Sequence, residues 1–214
     1  SPRSIGDPDD IEKLADILVN AKRPAVLFGQ QVWASQSHEE CIEFVRSLDI
    51  PAYMNGAARG MMRQDDPHHF DRTRGDAFKE ADVILIVGTP FDFRMGYGKR
   101  ISAPTLVQID LDYRTVGKNR DISMGLAGHP GSILSAVAQA ASGRIVDAAA
   151  RQERQDWMAH LRKIEAAKLE KLMPLFTSDR SPIHPYRLAY DINEVLGEDT
   201  IYIGDGGDVV TISA

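Results

Sequence analysis

Near its carboxyl end the chain places Gly204-Asp205-Gly206-Gly207-Asp208 directly after the apolar run Ile201-Tyr202-Ile203. A glycine-rich turn at the end of a strand lets backbone N–H groups approach a phosphate, and α/β proteins hold phosphates at such turns. Asp205, Gly206, Gly207 and Asp208 are therefore candidate cofactor-binding residues. Four further residues, Gly29, Arg94, Asp110 and Asp112, end or follow apolar runs and form a candidate nucleotide-binding set. A carboxylate at a strand end can accept from ribose hydroxyls, which suits Asp110 first and Asp112 second. Capping of the following turn is the competing use of Asp110. Arg94 can take a phosphate bidentately, or pair with Asp92 or Asp76. Arg59, Arg72 and Arg74 make another long loop positive, compatible with phosphates, although a solvated loop is the more ordinary reading.

Other chemistries find less support. Cys41 shares a helical stripe with Phe44, Val45 and Leu48, the pattern of a core residue rather than a nucleophile. A single cysteine excludes an internal disulfide and any multi-cysteine metal site. His68 and His69 are adjacent, so their side chains diverge, and no acidic spacing makes them a metal pair. No Ser-His-Asp or Cys-His arrangement is recognisable. No catalytic residue and no metal ligand is assigned. The charge balance, 25 Lys and Arg against 31 Asp and Glu, is acidic without a basic block, which argues against nucleic acid. No apolar run reaches the length of a membrane span. Ser1-Pro2-Arg3-Ser4 begins no apolar signal core, so the expected compartment is the cytoplasm.

The elements that must position these residues alternate. Asp7 is a good N-cap, Pro8 suits the first helical position, and Ile11, Leu14, Ala15 and Leu18 make a buried stripe. Strands are expected at 25–29, 52–54, 83–88 and 105–110, with a short one at 123–127. Helices are expected at 37–48, 77–81 and 132–141, and loops at 55–75 and 89–102. Apolar strands alternating with helices imply an α/β, Rossmann-like parallel sheet with helices on both faces. Right-handed crossovers bring the loops after Phe28, Met54, Val87 and Ile109 to one edge. Gly29-Gln30-Gln31-Val32-Trp33 is not a G-x-G-x-x-G turn, which disfavours an unrelated dinucleotide oxidoreductase. Residues 150–173 read as an amphipathic connecting helix ended by Pro174. A linker at 177–182 and a new unit from His184-Pro185 follow, with a helix and then the strand at Ile201.

Several pieces in order carry a family resemblance: Lys22-Arg23-Pro24 into Val26-Leu27-Phe28-Gly29, then Ala81-Asp82 into Val83–Gly88, then Phe91-Asp92-Phe93-Arg94. Ile109-Asp110-Leu111-Asp112 and Gly117-Lys118-Asn119 follow, and later Pro182-Ile183-His184-Pro185 and Ile203–Asp208. Together they resemble the thiamine-diphosphate-dependent family that includes acetolactate synthase, oxalyl-CoA decarboxylase, 2-hydroxyacyl-CoA lyase and benzaldehyde lyase. The resemblance implies a central Rossmann-like domain at 5–145, a connecting helix and linker at 146–182, and the incomplete start of a diphosphate-binding domain, a truncated second α/β unit, at 183–214. On that reading the chain is a piece of a larger enzyme, lacking the N-terminal pyrimidine-binding domain and the rest of the C-terminal domain.

The resemblance further implies thiamine diphosphate and Mg2+ in the complete enzyme, a bond made or broken next to a carbonyl, and a homodimer or homotetramer. The family's metal turn pairs an Asp with a later Asn, and only eight residues follow Gly206, so Asp205–Asp208 is read as the first-strand loop. Relatives carry FAD, ADP or part of CoA in the central domain. Two departures bear on this. Pro90 stands where flavin-bearing members have Arg, and His129 where many have Asp, so FAD is not expected, and a nucleotide held here, if any, is expected to be ADP, free or as part of CoA. The alternative is a nucleotide-binding or scaffolding module without activity of its own.

Overall fold

In the computed structural model of the chain, which describes residues 3–144, 148–197, 199–201, 203 and 212, Asp7 starts the first helix as expected. Its carboxylate accepts from the Asp9 N–H, Pro8 takes the first helical position, and Ile11, Leu14, Ala15 and Leu18 of α1 (Pro8–Asn20) are buried. Five strands follow: β1 (Pro24–Phe28), β2 (Ala52–Met54), β3 (Val83–Val87), β4 (Thr105–Asp110) and β5 (Met124–Ala127). They form one parallel sheet in the order β2-β1-β3-β4-β5. The period-two alternation of strand side chains divides the core in two. Val26, Phe28, Leu85, Val87, Val107 and Ile109 face one layer, and Ala25, Leu27, Ile84, Ile86 and Leu106 the other.

The first layer is α1, α3 (His38–Leu48) and α5 (Pro130–Ala141), with α5 packed against both of the others. Leu14, Leu18, Phe44, Val45, Ile133 and Val137 supply its apolar surface. The second layer is α4 (Arg74–Glu80), through Ala77 and Phe78, and the first part of α6 (Ala148–Phe176), through Trp157 and Leu161. Both faces of the sheet are covered, as a parallel sheet requires.

Several elements differ from expectation. A short helix α2 (Gln30–Ala34) follows β1 directly; it buries only Val32, too little to leave an apolar pattern. The loop at 89–102 contains a 3-10 segment, Phe93–Gly98, which Asp92 starts by accepting from the Arg94 N–H. α4 and α5 begin earlier than their apolar residues suggest. His129 caps α5, with Nδ1 accepting from the Ser132 N–H at 3.3 Å. Pro174 does not end α6; it lies inside the last turn, where loss of one N–H donor is confined to the helix end.

Two compact units divide between Glu165 and Ala166. The second contains the end of α6 and α7 (Pro185–Val195), started by His184 and without a buried residue. Phe176 stacks on Tyr190 at 5.6 Å there. Ile201 and Ile203 are exposed and belong to no regular element, so the expected strand is not formed by its described residues. The turn 204–208, with Asp205, Gly206, Gly207 and Asp208, lies outside the described residues.

Arg154 of α6 is 1% exposed, and its guanidinium donates to the carbonyls of Leu18 and Leu48 in the last turns of α1 and α3. Arg154→Ala should lower unfolding free energy by about 2–4 kcal/mol, because two buried carbonyls lose a charged donor and the stem leaves a void. Urea denaturation checks this, and Arg114→Ala, at an exposed ion pair, should leave the midpoint nearly unchanged.

Candidate functional site

The strand order changes direction between β1 and β3, and the carboxyl edge at that point is where α/β sheets bind ligands. Backbone bonds lace this edge. Gly29 N–H donates to Val87 O at 2.7 Å, Gln31 N–H to Gly88 O at 3.1 Å and Gly88 N–H to Ile109 O at 2.8 Å. Asn55 N–H donates to Phe28 O and Gly128 N–H to Asp110 O. Gly29 is required here by contact: a Cβ on it would lie 2.5 Å from Gly88 O and 2.4 Å from Thr89 Cβ. Glycine lets the loops after β1 and β3 touch.

Asp110 ends β4 and is fully buried. Its Oδ1 accepts from Asp112 N–H at 2.8 Å, the turn-capping use, and from Gln31 Nε2 at 2.8 Å. Its Oδ2 is buried without a hydrogen-bond partner among the described residues. A buried carboxylate oxygen without a donor is costly, so Asp110 offers an acceptor to any hydroxyl that reaches it. Gln31, which no motif singled out, joins the edge together: its Oε1 also accepts from Leu111 N–H at 2.9 Å. Only its place in the first turn after β1 could have drawn notice to it.

Arg94 and Asp112 are each closed on a near neighbour. Arg94 donates to Asp92 Oδ2 through Nε at 2.9 Å and Nη2 at 2.6 Å, while its backbone N–H donates to Asp92 Oδ1. The guanidinium holds the Asp92 carboxyl below the usual carboxylate range. Asp112 is paired in the same way with Arg114, whose hydrogen bonds push its pKa down to about 2. Each Asp-x-Arg clip presents an exposed aromatic between its ends, Phe93 and Tyr113. The edge therefore gathers Gly29, Asp110 and Asp112 around the β1, β3 and β4 ends, while the Arg94 guanidinium is turned to Asp92.

The His- and Arg-rich loop after β2 is held in place rather than solvated throughout. Phe70 N–H donates to Ala52 O, and Arg162 of α6 lies 3.7 Å over the Phe70 ring. Glu165 accepts from the N–H groups of Asp71 and Arg72. His68 contacts Asp66 and Asp49, and His69 contacts Asp71. Among the described residues no three His, Cys, Asp or Glu side chains are placed to hold a metal ion. Cys41 is buried, and burial first, then the charge of Glu40, raises its pKa, so it is no nucleophile.

Residues 11–137, more than half of the chain, match the family model of the thiamine pyrophosphate enzyme central domain. The chain belongs to this family. It is 31% identical over 201 residues to the acetolactate synthase large subunit IlvG of Mycobacterium tuberculosis, covering 94% of this chain and 35% of that protein. It is 28% identical over 214 residues to 2-hydroxyacyl-CoA lyase 2 of Danio rerio, covering 96% of this chain and 33% of that protein. The chain thus spans about a third of the length of the curated relatives it matches. A solved chain from Mycobacterium smegmatis, described as thiamin diphosphate-dependent, superposes with a TM-score of 0.55 at 20% identity, over 69% of this chain and 29% of that one. That likeness speaks for the fold.

Of the two departures within the family, His129 is spent structurally. With Nδ1 accepting at the helix start, Nε2 carries the proton and donates to Ser35 O at 3.0 Å.

Burial opposes the charged form of His69, but the hydrogen bond and charge of Asp71, with the Arg63 carbonyl, outweigh it and raise its pKa. The His69 hydrogen bond in turn lowers the Asp71 pKa. The His69 contribution to stability is full below 6.5 and is lost as pH rises through the raised folded value. The Asp71 contribution is full above 3.8 and is lost as pH falls through the lowered one. The deficit of Asp71→Asn in urea midpoint should therefore be larger at about pH 5 than at about pH 8.

Proposed function

We propose that this chain serves a thiamine-diphosphate-dependent enzyme that forms or cleaves a carbon–carbon bond next to a carbonyl. Its five-stranded unit is that enzyme's nucleotide-binding domain. Family membership supports the first statement, and relatives include both acetolactate synthases and 2-hydroxyacyl-CoA lyases. The single observation that supports the second is the buried, unpartnered Oδ2 of Asp110 at the ligand edge of the sheet. It fits a ribose hydroxyl, which donates without bringing a charge of its own.

The ligand class is an adenosine diphosphate moiety, free or as part of CoA. Pro90 and the structurally occupied His129 leave less to hold a flavin, so FAD is not expected. Gly29 contributes by letting the loops after β1 and β3 meet beside the ligand. Arg94 can meet a phosphate only by giving up Asp92, and Asp112 can turn to a ribose only by giving up Arg114, so both contribute less than Asp110. Thiamine diphosphate, when bound with Mg2+, supplies the electron sink for cleavage next to a carbonyl. The turn assigned to it, Asp205, Gly206, Gly207 and Asp208, lies outside the described residues. The complete enzyme is a cytoplasmic homodimer or homotetramer on this reading.

Calorimetry tests the nucleotide assignment. Asp110→Asn should weaken ADP and adenosine alike, by about 1–3 kcal/mol, because both carry the ribose. A wild-type chain that binds neither, or a variant that binds both unchanged, ends the assignment. The 214-residue chain supplied with thiamine diphosphate and Mg2+ should not turn over pyruvate or a 2-hydroxyacyl-CoA. Joined to pyrimidine-binding and diphosphate-binding domains it should, and steady turnover by the chain alone would contradict the proposed division of labour.

A further inference from the structure

The amino edge of the sheet, opposite the strand ends that hold Asp110, carries a cleft of about 440 Å3. Small-molecule sites commonly measure about 300–1,000 Å3. Lys22 and Arg23 enter it from the turn before β1, and Glu80 and Asp82 from the end of α4 and the turn before β3. Its remaining wall is α6, through Glu153, Asp156, Trp157 and His160. These stand at i, i+3, i+4 and i+7, so one face of the helix supplies two carboxylates and two flat rings.

Most of the lining groups are engaged by one another. Lys22 Nζ pairs with Glu153 Oε1 at 3.0 Å, and His160 Nε2 lies 2.9 Å from Glu80 Oε2. Asp82 accepts from the N–H groups of Lys22 and Arg23 at 2.8 and 3.0 Å. Two groups are left over. Among the described residues Asp156 accepts from Gln152 Nε2, a neutral donor, and the Arg23 guanidinium has no carboxylate within ion-pair distance. A ring pair stands in the same cleft. Trp157 is buried and fixed by its Nε1 bond to Pro24 O, and His160 stacks on it with centroids 5.8 Å apart and planes 22° apart. The His160 side chain is half-exposed and held by Glu80, so a further flat group can lie on it.

We propose that this cleft binds a free α-amino acid with an aromatic side chain. Arg23 takes the α-carboxylate through its guanidinium fork, Asp156 takes the α-ammonium, and the ligand ring extends the stack of Trp157 and His160. A ligand with a single charge answers one of the two leftover groups and leaves the other; a zwitterion answers both. The site stands independently of the nucleotide reading, because it lies at the other end of the strands and shares no residue with it.

Calorimetry of L-phenylalanine against the 214-residue chain tests it. Three analogues each remove one contact: 2-phenylethylamine lacks the carboxylate, 3-phenylpropanoate the ammonium and L-alanine the ring. L-phenylalanine should bind tighter than each of them by roughly fivefold or more. Arg23→Gln should weaken L-phenylalanine by roughly fivefold or more and leave 2-phenylethylamine unchanged. Asp156→Asn should weaken L-phenylalanine as much and leave 3-phenylpropanoate unchanged. Both residues are exposed, so both variants should fold. Asp110→Asn should spare L-phenylalanine, which separates this site from the nucleotide assignment. Absence of L-phenylalanine binding, an analogue that binds as tightly, or unchanged binding by either Arg23→Gln or Asp156→Asn would overturn the proposal.

Discussion

One buried cation closes the amino edge of the sheet. Arg154 reaches from α6 to carbonyls in the last turns of α1 and α3, the helices that feed β1 and β2. Helix carboxyl ends carry partial negative charge and leave carbonyls without donors, so a guanidinium answers both needs at once. Burial lowers the Arg154 pKa, and the nearby charges of Asp49 and Asp82 oppose that shift. One turn further on, Trp157 Nε1 donates to Pro24 O at 2.9 Å and fixes the start of β1. The two helical layers lie on opposite faces of the sheet, and this corner ties them to each other as well as to the strands.

The opposite edge carries the loops after β1, β3 and β4. Strand ends there are joined by backbone bonds and by Gln31, which engages both Asp110 and the Leu111 N–H. Charged groups are sorted by this frame. Asp92 with Arg94 and Asp112 with Arg114 neutralise each other within three residues, while Asp110 keeps one oxygen without a donor among the described residues. Ion pairs as exposed as these contribute little to stability, so they can open toward a ligand at small cost.

What could be read before the fold was known follows from how much apolar surface each element buries. The strands of a parallel sheet are covered twice, so Val26–Phe28, Val83–Val87 and Leu106–Ile109 stand out as unbroken apolar runs. α2 escaped because five residues with one buried side chain leave no periodicity. The first turn of α4, Arg74-Gly75-Asp76, is polar and so looked like loop. His129 is an uncommon cap, which delayed the expected start of α5. Arg154 sits in a stretch rich in Arg, Glu, Lys and Ala, where a buried arginine and a solvated one spell the same. Asp110 was legible by its place at a strand end, but its free oxygen depends on which donors the neighbouring loops bring, and spacing says nothing of that.

The lacing of the carboxyl edge limits what the main chain there can still bind. Gly29 and Gln31 spend their N–H groups on the end of β3 and the residue after it, so the main chain after β1 has little left to grip a guest. Recognition passes to side chains on a scaffold that stays put. A grip built of main-chain amides is shared by every sequence with the same loop, whereas one built of side chains is rewritten codon by codon. A change of guest would then ask for new side chains at the strand ends and leave the sheet as it is.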